Sequence, residues 1–295
     1  MSTVSAVAQR VDRLLFVPQS AWPIAIARIV IGVAVLGWSV SMMFDVDALL
    51  GSDALIGPEF ASDRWRWIAL DSTAAVWIAL VLLVVASVGI IVGFRSTWFL
   101  LAAFVLLVAV QRRSPMILNS GDIIVRNLTL LLACCPTSAA LSVDRWRREG
   151  RAALRTAPLV APWGLRLVQL QVMVVYFFAF WGKSGDLWRD GTAVSTSLRL
   201  LDLQRFGQLD VLVDSVVVIA VLTWGTLAVE LALAGLLWHR RARPILIVLG
   251  ITLHLLIDSF LLVGFFGIAM IAGLMTFLDG ERIHARLTRR STAST

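Results

Sequence analysis

Residues 244–278, PILIVLGITLHLLIDSFLLVGFFGIAMIAGLMTFL, decide the fold. As a single helix this 35-residue run would reach about 52 Å at 1.5 Å per residue, far beyond a hydrocarbon core of about 30 Å. The run must fold back or tilt heavily, and Gly264 and Gly267 mark the expected reversal. The same reading, carried outward, places spans at Trp22–Phe44, Ser72–Phe94, Thr97–Val110, Met116–Leu141, Gly164–Trp181 and Val211–Trp238. Together with the two halves of the final run these make about eight transmembrane helices, so the expected class is an all-α polytopic membrane protein. Composition agrees: 59% of the residues are hydrophobic, 15% are charged, and mean hydropathy is +0.87. A soluble domain of this size could not carry that surface.

The net charge of +7 does not point to nucleic acid, because the arginines gather in short connections between apolar runs, where orientation signals and anionic-lipid contacts belong. With the N-terminus inside, one side collects Arg10 and Arg13, then Arg95, then Arg145, Arg147, Arg148, Arg151 and Arg155, then Arg240, Arg241 and Arg243, and finally Arg282, Arg286, Arg289 and Arg290. The first loop on the other side is acidic, with Asp45, Asp47, Asp53, Glu59 and Asp63 against Arg64 and Arg66. Both termini are therefore expected in the cytoplasm, with the chain in a plasma (inner) membrane. Arg112 and Arg113 break the pattern: either the third span is misplaced or they serve a site. Pro18–Trp38 shows no convincing signal-peptide cleavage site, so the N-terminus reads as an uncleaved first span. The expected organisation is an interfacial segment at 1–21, a transmembrane domain at 22–279 and a disordered tail at 280–295. Gly191–Leu212 alternates leucines with Arg199, Asp202 and Arg205, as a short helix lying on the outer face would. Cys134 and Cys135 are adjacent and fall inside an expected span, which provides neither a redox Cys-x-x-Cys pair nor a metal-ligand spacing.

Ionisable groups inside spans are costly and need a partner, a cavity or an exit to the interface. Arg28, about 9 Å into the first span at 1.5 Å per residue, is expected to snorkel or meet a carboxylate. Asp122 and Arg126 are spaced i, i+4 and can pair. Yet Asn119, Ser120, Asp122, Arg126 and Asn127 put five polar groups into nine residues, which suggests a cavity. His254 and Asp258 are again i, i+4, readable as a satisfied pair or as a proton-transfer or ligand site. Tyr176, the chain's one tyrosine, lies seven residues before Lys183 on the same helix face. Glu230, placed in the inner half of the sixth span, is expected to pair with an arginine.

Lys183 stands apart, as the one lysine in a chain that otherwise uses arginine for its 26 basic residues. Flanked by Trp181 and Trp188, it fits an interfacial anchor. An ammonium near lipid can also lose its proton and act as a base, which a guanidinium does not do.

Gln169, Gln171, Tyr176, Phe177, Ala179, Lys183, Trp188 and Asp190-Gly191-Thr192-Ala193 resemble the signature of the HTTM domain, the membrane core shared with vitamin K-dependent gamma-carboxylase. Leu118–Asp122, Ser142-Val143-Asp144, Glu230, His254 and Leu262–Phe266 agree with it, and the resemblance runs from about Trp22 to Leu278. It implies that Lys183 is a catalytic base that deprotonates reduced vitamin K or menaquinone. Molecular oxygen and carbon dioxide would then be co-substrates in the carboxylation of a peptide glutamate. Asn119, Asp122, Arg126, Tyr176, Trp188, His254 and Asp258 would line a substrate- or quinone-binding cavity facing the outer side. The carboxylase has a histidine in the segment matching Asn119–Asp122; here the residues are Asn-Ser-Gly-Asp. Stand-alone bacterial members include one that acts in maturing a secreted peptide toxin. The second expectation is thus a non-catalytic factor that binds a secreted peptide, or a membrane lipid, in the same cavity.

Overall fold

The computed structural model describes residues 3–52, 54, 68, 70–206 and 213–285. The expectations for Asp53, Glu59, Asp63, Arg64, Arg66, residues 207–212 and the tail from 286 onward fall outside those residues.

Among the described residues the fold is helical, with one two-residue antiparallel ladder. Helix α1 (Thr3–Phe16) leads into β1 (Gln19–Ser20), α2 (Trp22–Phe44), α3 (Val46–Leu49), α4 (Thr73–Val92), α5 (Ser96–Arg113), α6 (Ser120–Ala133), α7 (Val143–Glu149) and β2 (Leu159–Val160). Then come α8 (Trp163–Gly182), α9 (Asp186–Arg189), α10 (Ala193–Arg199), α11 (Val216–Leu236), α12 (Arg243–Phe260) and α13 (Phe266–Met275). Six of these, α2, α4, α5, α8, α11 and α12, are long and apolar enough to cross a membrane. The shorter α6 and α13 alternate with them, so the chain runs up and down through the bundle. The two ends of the described chain meet on one face, where β1 pairs with β2, Gln19 opposite Val160, and where Gly280 lies against Ser20.

Local signals set the helix limits. Ser72 caps α4, its side chain accepting from the Ala75 amide, and Gly93 closes it in the left-handed region at φ +71°. Helix α6 opens on a reciprocal capping box between Asn119 and Asp122. It ends at Ala133, with Cys134 as its C-cap. The fourth span is thus shorter than Met116–Leu141, and the two cysteines lie beyond its last turn, Cys134 exposed and Cys135 buried. Pro136 and the hydroxyl-rich turn after it stop the helix: Thr137 and Ser138 bond to Ser96 rather than continuing the backbone ladder. The sixth span begins at Val216, where Ser215 supplies the cap, and not at Val211. The long run 244–278 reverses as expected: α12 stops at Phe260, Gly264 takes φ +66°, and α13 starts at Phe266.

Helix α13 is the hub and packs against α2, α6, α8 and α12. Its Ala269, Met270, Ala272, Gly273 and Leu274 are buried, and Gly273 brings its backbone close to Val172 of α8. Only small residues allow that approach. The outer faces of α4, α11 and α12 leave Val81, Val85, Val216, Val217, Val221 and Val248 exposed, as lipid-facing helix surfaces do.

Two arginines that puzzled the sequence are buried and capped by carbonyls. Arg28 is 0% exposed, so it does not snorkel, and it forms no ion pair among the described residues. Its guanidinium donates to the carbonyls of Thr137, Ile91 and Leu141, at 3.1, 3.4 and 2.6 Å. The guanidinium occupies the space over Gly93, where an added Cβ would lie 1.9 Å from Nη1. Arg113 donates to the carbonyls of Leu50, Gly51 and Leu70, tying the end of α5 to both sides of the first loop. That role places Arg113 at the end opposite the chain termini without any ligand.

Candidate functional site

Lys183 is the C-cap of α8, with its amide bonded to the Phe180 carbonyl. The side chain turns back along its own helix, as a lysine at a helix C-terminus does, and Nζ donates to Ala179 O at 3.3 Å. There it meets Glu230 of α11, with Nζ 2.6 Å from Oε1 and 2.7 Å from Oε2. The Trp188 ring lies beneath the ammonium, centroid 5.3 Å away. The Lys183 side chain is 24% exposed and that of Glu230 8%.

Glu230 therefore pairs with Lys183, not with an arginine in the opposite half of the bundle. The cause is a stagger between helices. The chain after Lys183 doubles back over α11, so that Gly191 packs on Trp224 and the Val194 amide donates to Thr223 Oγ1. Two turns further along α11, about 10 Å at 1.5 Å per residue, bring Glu230 level with the Lys183 ammonium.

Tyr176, two turns before Lys183 on α8, is 2% exposed and shares a 2.8 Å hydrogen bond with His254 Nε2 of α12. His254 is also 2% exposed, and its ring meets Phe266 edge-on. It makes no bond to Asp258, so the expected i, i+4 pair does not form. His254 Nδ1 and Asp258 Oδ1 are both buried without a hydrogen-bond partner among the described residues. Asp258 lies instead over Gly267, where a Cβ would be 2.0 Å from Oδ2. Arg205, from the segment after α10, donates to the Asp258 backbone carbonyl at 2.7 Å. The strip Leu203–Arg205 bonds back to Phe260 and Leu262, so the polar-apolar segment after Lys183 does fold over this end of the bundle.

Asn119, Asp122 and Arg126 form a second cluster. Asp122 and Arg126 are not bonded to each other: Trp38 Nε1 donates to Asp122 Oδ1 at 2.7 Å, while Arg126 donates to Gln111 Oε1 at 2.9 Å. Gln111 Nε2 in turn reaches the Asp122 carbonyl at 3.2 Å. Asn119 and Asp122 line a cavity of about 160 Å³, walled by Trp38, Met42, Gln111 and Phe265. Of the polar residues in 119–127 only Asn119 and Asp122 line it; Arg126, Tyr176, Lys183, Trp188, His254 and Asp258 are not on its wall. Trp38 and Gln111 were missed. A tryptophan in an apolar span and a glutamine beside two arginines carry no distinctive spacing, although Gln111 is a buried amide that had to find partners.

The fold and these residues define a polytopic helical membrane protein with a lysine–glutamate pair between two of its apolar helices. The chain belongs to the HTTM domain family, whose profile matches residues 16–281. No curated protein and no solved structure matches it. The family is linked to the transmembrane region of the vitamin K-dependent carboxylase.

Proposed function

We propose that Lys183 and Glu230 are the acid–base centre of a membrane enzyme that works with a reduced quinone, vitamin K or menaquinone. Its acceptor would be a peptide or small substrate, modified by carboxylation or related oxidative chemistry. The observation that carries this reading is the Lys183–Glu230 contact at the border between bundle and lipid. The Nζ–Oε1 distance of 2.6 Å is short enough for a proton to move from the ammonium to the carboxylate. The amine so freed can take a proton from a substrate hydroxyl. Arginine in place of Lys183 would keep the charge and lose this capacity.

The surroundings suit a lipophilic ring. Phe177, Phe178 and Trp181 of α8 are 46, 64 and 68% exposed, and Phe177 stacks on Trp181 with centroids 6.1 Å apart. These rings give a flat apolar approach from the lipid to the lysine end of α8, and Trp188 backs the ammonium on its other side. A reduced quinone, when bound, supplies an acidic hydroxyl and two electrons for oxygen chemistry, with molecular oxygen and carbon dioxide as co-substrates. The chain's own groups would hold the ring and move the proton. The arginine distribution supports cytoplasmic termini in a plasma membrane, with the Lys183 end outward.

The test supplies purified protein in lipid nanodiscs with reduced menaquinone, labelled bicarbonate and glutamate-containing peptides, and reads quinone epoxide and carboxylated peptide by mass spectrometry. Epoxide formation that is lost in Lys183→Arg is the expected result. Unchanged turnover in Lys183→Arg overturns the base assignment. Epoxide without carboxylated peptide keeps the quinol half and discards carboxylation.

A further inference from the structure

We infer that Phe94, Arg95 and Arg147 form a binding site for the headgroup of an anionic phospholipid, whose acyl chain lies along α4. The site is at the opposite end of the bundle from Lys183 and stands independently of the role given to that residue.

One carboxylate sets its frame. Asp144, in the first turn of α7, accepts from the Arg95 amide at 2.7 Å and from the Ser138 hydroxyl at 3.0 Å, both through Oδ2. This joins α7 to the short turn between α4 and α5 and brings Arg147, three residues on, to the same place as Arg95. The two guanidiniums share one ring: the Cζ atoms of Arg95 and Arg147 are 5.8 and 5.2 Å from the Phe94 centroid. Neither forms an ion pair among the described residues, whereas Arg145 on the same helix meets Glu149 at 2.7 Å. Arg95 also takes φ +41°, a left-handed backbone that glycine or asparagine would adopt at lower cost. Two like charges gathered on one ring without a counter-ion fit an anion supplied from outside, and guanidinium forks match phosphate oxygens.

Depth and surroundings select a lipid over a soluble phosphate. Helix α4 has 20 residues, about 30 Å at 1.5 Å per residue, which matches one hydrocarbon core. Only Gly93, Phe94 and Arg95 separate it from α5, so the arginines sit where the headgroups begin. That layer is about 5–7 Å thick, within the reach of both guanidiniums. Val81, Val85, Val88 and Val92 are 41–54% exposed and, at i, i+4, i+7 and i+11, form one row on α4 that ends two residues before Phe94. The row is about 16 Å long, close to the depth of one leaflet. Trp98 in the first turn of α5 and Trp146 beside Arg147 are 72 and 49% exposed, as tryptophans at the headgroup boundary are.

Native mass spectrometry of the purified protein in detergent micelles, titrated with phosphatidylglycerol and with phosphatidylcholine, tests the site. The wild type should prefer phosphatidylglycerol, and Arg95→Gln/Arg147→Gln should reduce that preference about 30-fold while phosphatidylcholine still binds. Arg240→Gln/Arg241→Gln removes two exposed arginines from the turn before α12. It should leave the preference within about twofold, since screening makes position count for more than total charge. An equal loss in both double variants reduces the effect to general surface charge and overturns the site. Equal binding of the two lipids by the wild type, or their joint loss in Arg95→Gln/Arg147→Gln, shows that the arginines do not select the charge and overturns it too. Displacement of phosphatidylglycerol by excess inorganic phosphate would make the ligand a soluble anion. A dimer that disappears with the two arginines would make the patch a contact between chains. Either result refutes the lipid assignment.

Discussion

Replacing Glu230 by glutamine removes the charge that faces the Lys183 ammonium at 2.6 and 2.7 Å and leaves the ammonium with the Ala179 carbonyl and the Trp188 ring. With charge centres about 4 Å apart and an effective dielectric constant of about 20, the attraction is roughly 4 kcal/mol. Holding a lysine and a glutamate in one geometry costs about 1–2 kcal/mol of side-chain entropy. The net coupling is therefore about 2–3 kcal/mol, above the value of about 0–1 for an exposed pair, because Glu230 is only 8% exposed. A double-mutant cycle isolates it: Lys183→Met, Glu230→Gln and the double variant, each unfolded reversibly with sodium dodecyl sulfate in mixed micelles and followed by near-ultraviolet circular dichroism. Each single variant should lose about 2 kcal/mol or more through its orphaned partner, and the double variant should lose much less than their sum. Effects that add to within about 0.5 kcal/mol would show that the two groups do not act as a pair, and would remove the physical basis for proton exchange between them.

Four other outcomes follow from the packing. Arg28→Met leaves the Thr137, Ile91 and Leu141 carbonyls without their buried donor and should cost about 3 kcal/mol or more, at about 1–3 per orphaned group; a loss below about 1 kcal/mol in the same unfolding assay contradicts the cage. Trp38→Phe frees Asp122 Oδ1 from its 2.7 Å donor and should cost about 1.5–3 kcal/mol, as for a bond to a charged group, while Trp38→Leu with Asp122→Leu should recover part of it. Arg113→Ala releases the Leu50, Gly51 and Leu70 carbonyls, so amide exchange at Leu50 and Gly51 should rise tenfold or more, measured by hydrogen–deuterium exchange with mass spectrometry. On the arginine-rich face, the Arg145 guanidinium beside Glu149 holds that carboxyl below its ordinary 4.5. The pairing is complete above that value and is lost as pH falls through the lowered one, so Glu149→Gln should lower stability slightly at neutral pH, flatten the acid side of the stability profile and converge with the wild type once the carboxyl is protonated.

Much of the bundle was legible because its cause is local. Apolar runs of about twenty residues report membrane spans whatever their neighbours are, and the reversal near Gly264 followed from a run too long for one crossing. The errors came where a partner distant in sequence decides. Met116–Leu141 reads as one apolar stretch, yet the Asn119–Asp122 box and the Thr137–Ser96 contact cut it to fourteen residues. Spacing of i, i+4 says that two side chains can meet, not that they do. Asp122 found Trp38, Arg126 found Gln111 and His254 found Tyr176, each on another helix.

By itself the sequence determined the class, the succession of apolar helices and the singularity of Lys183. These are matters of composition and period, which need no third dimension. Only the tertiary structure decided that Lys183 faces Glu230, that the cavity at Asn119 and Asp122 is separate from it, and that His254 bonds to Tyr176 rather than to Asp258. The physical reason is that a charge buried near lipid takes whichever counter-group the packed helices bring within about 3 Å, and the stagger of α8 against α11 that sets this distance is written in no single helix.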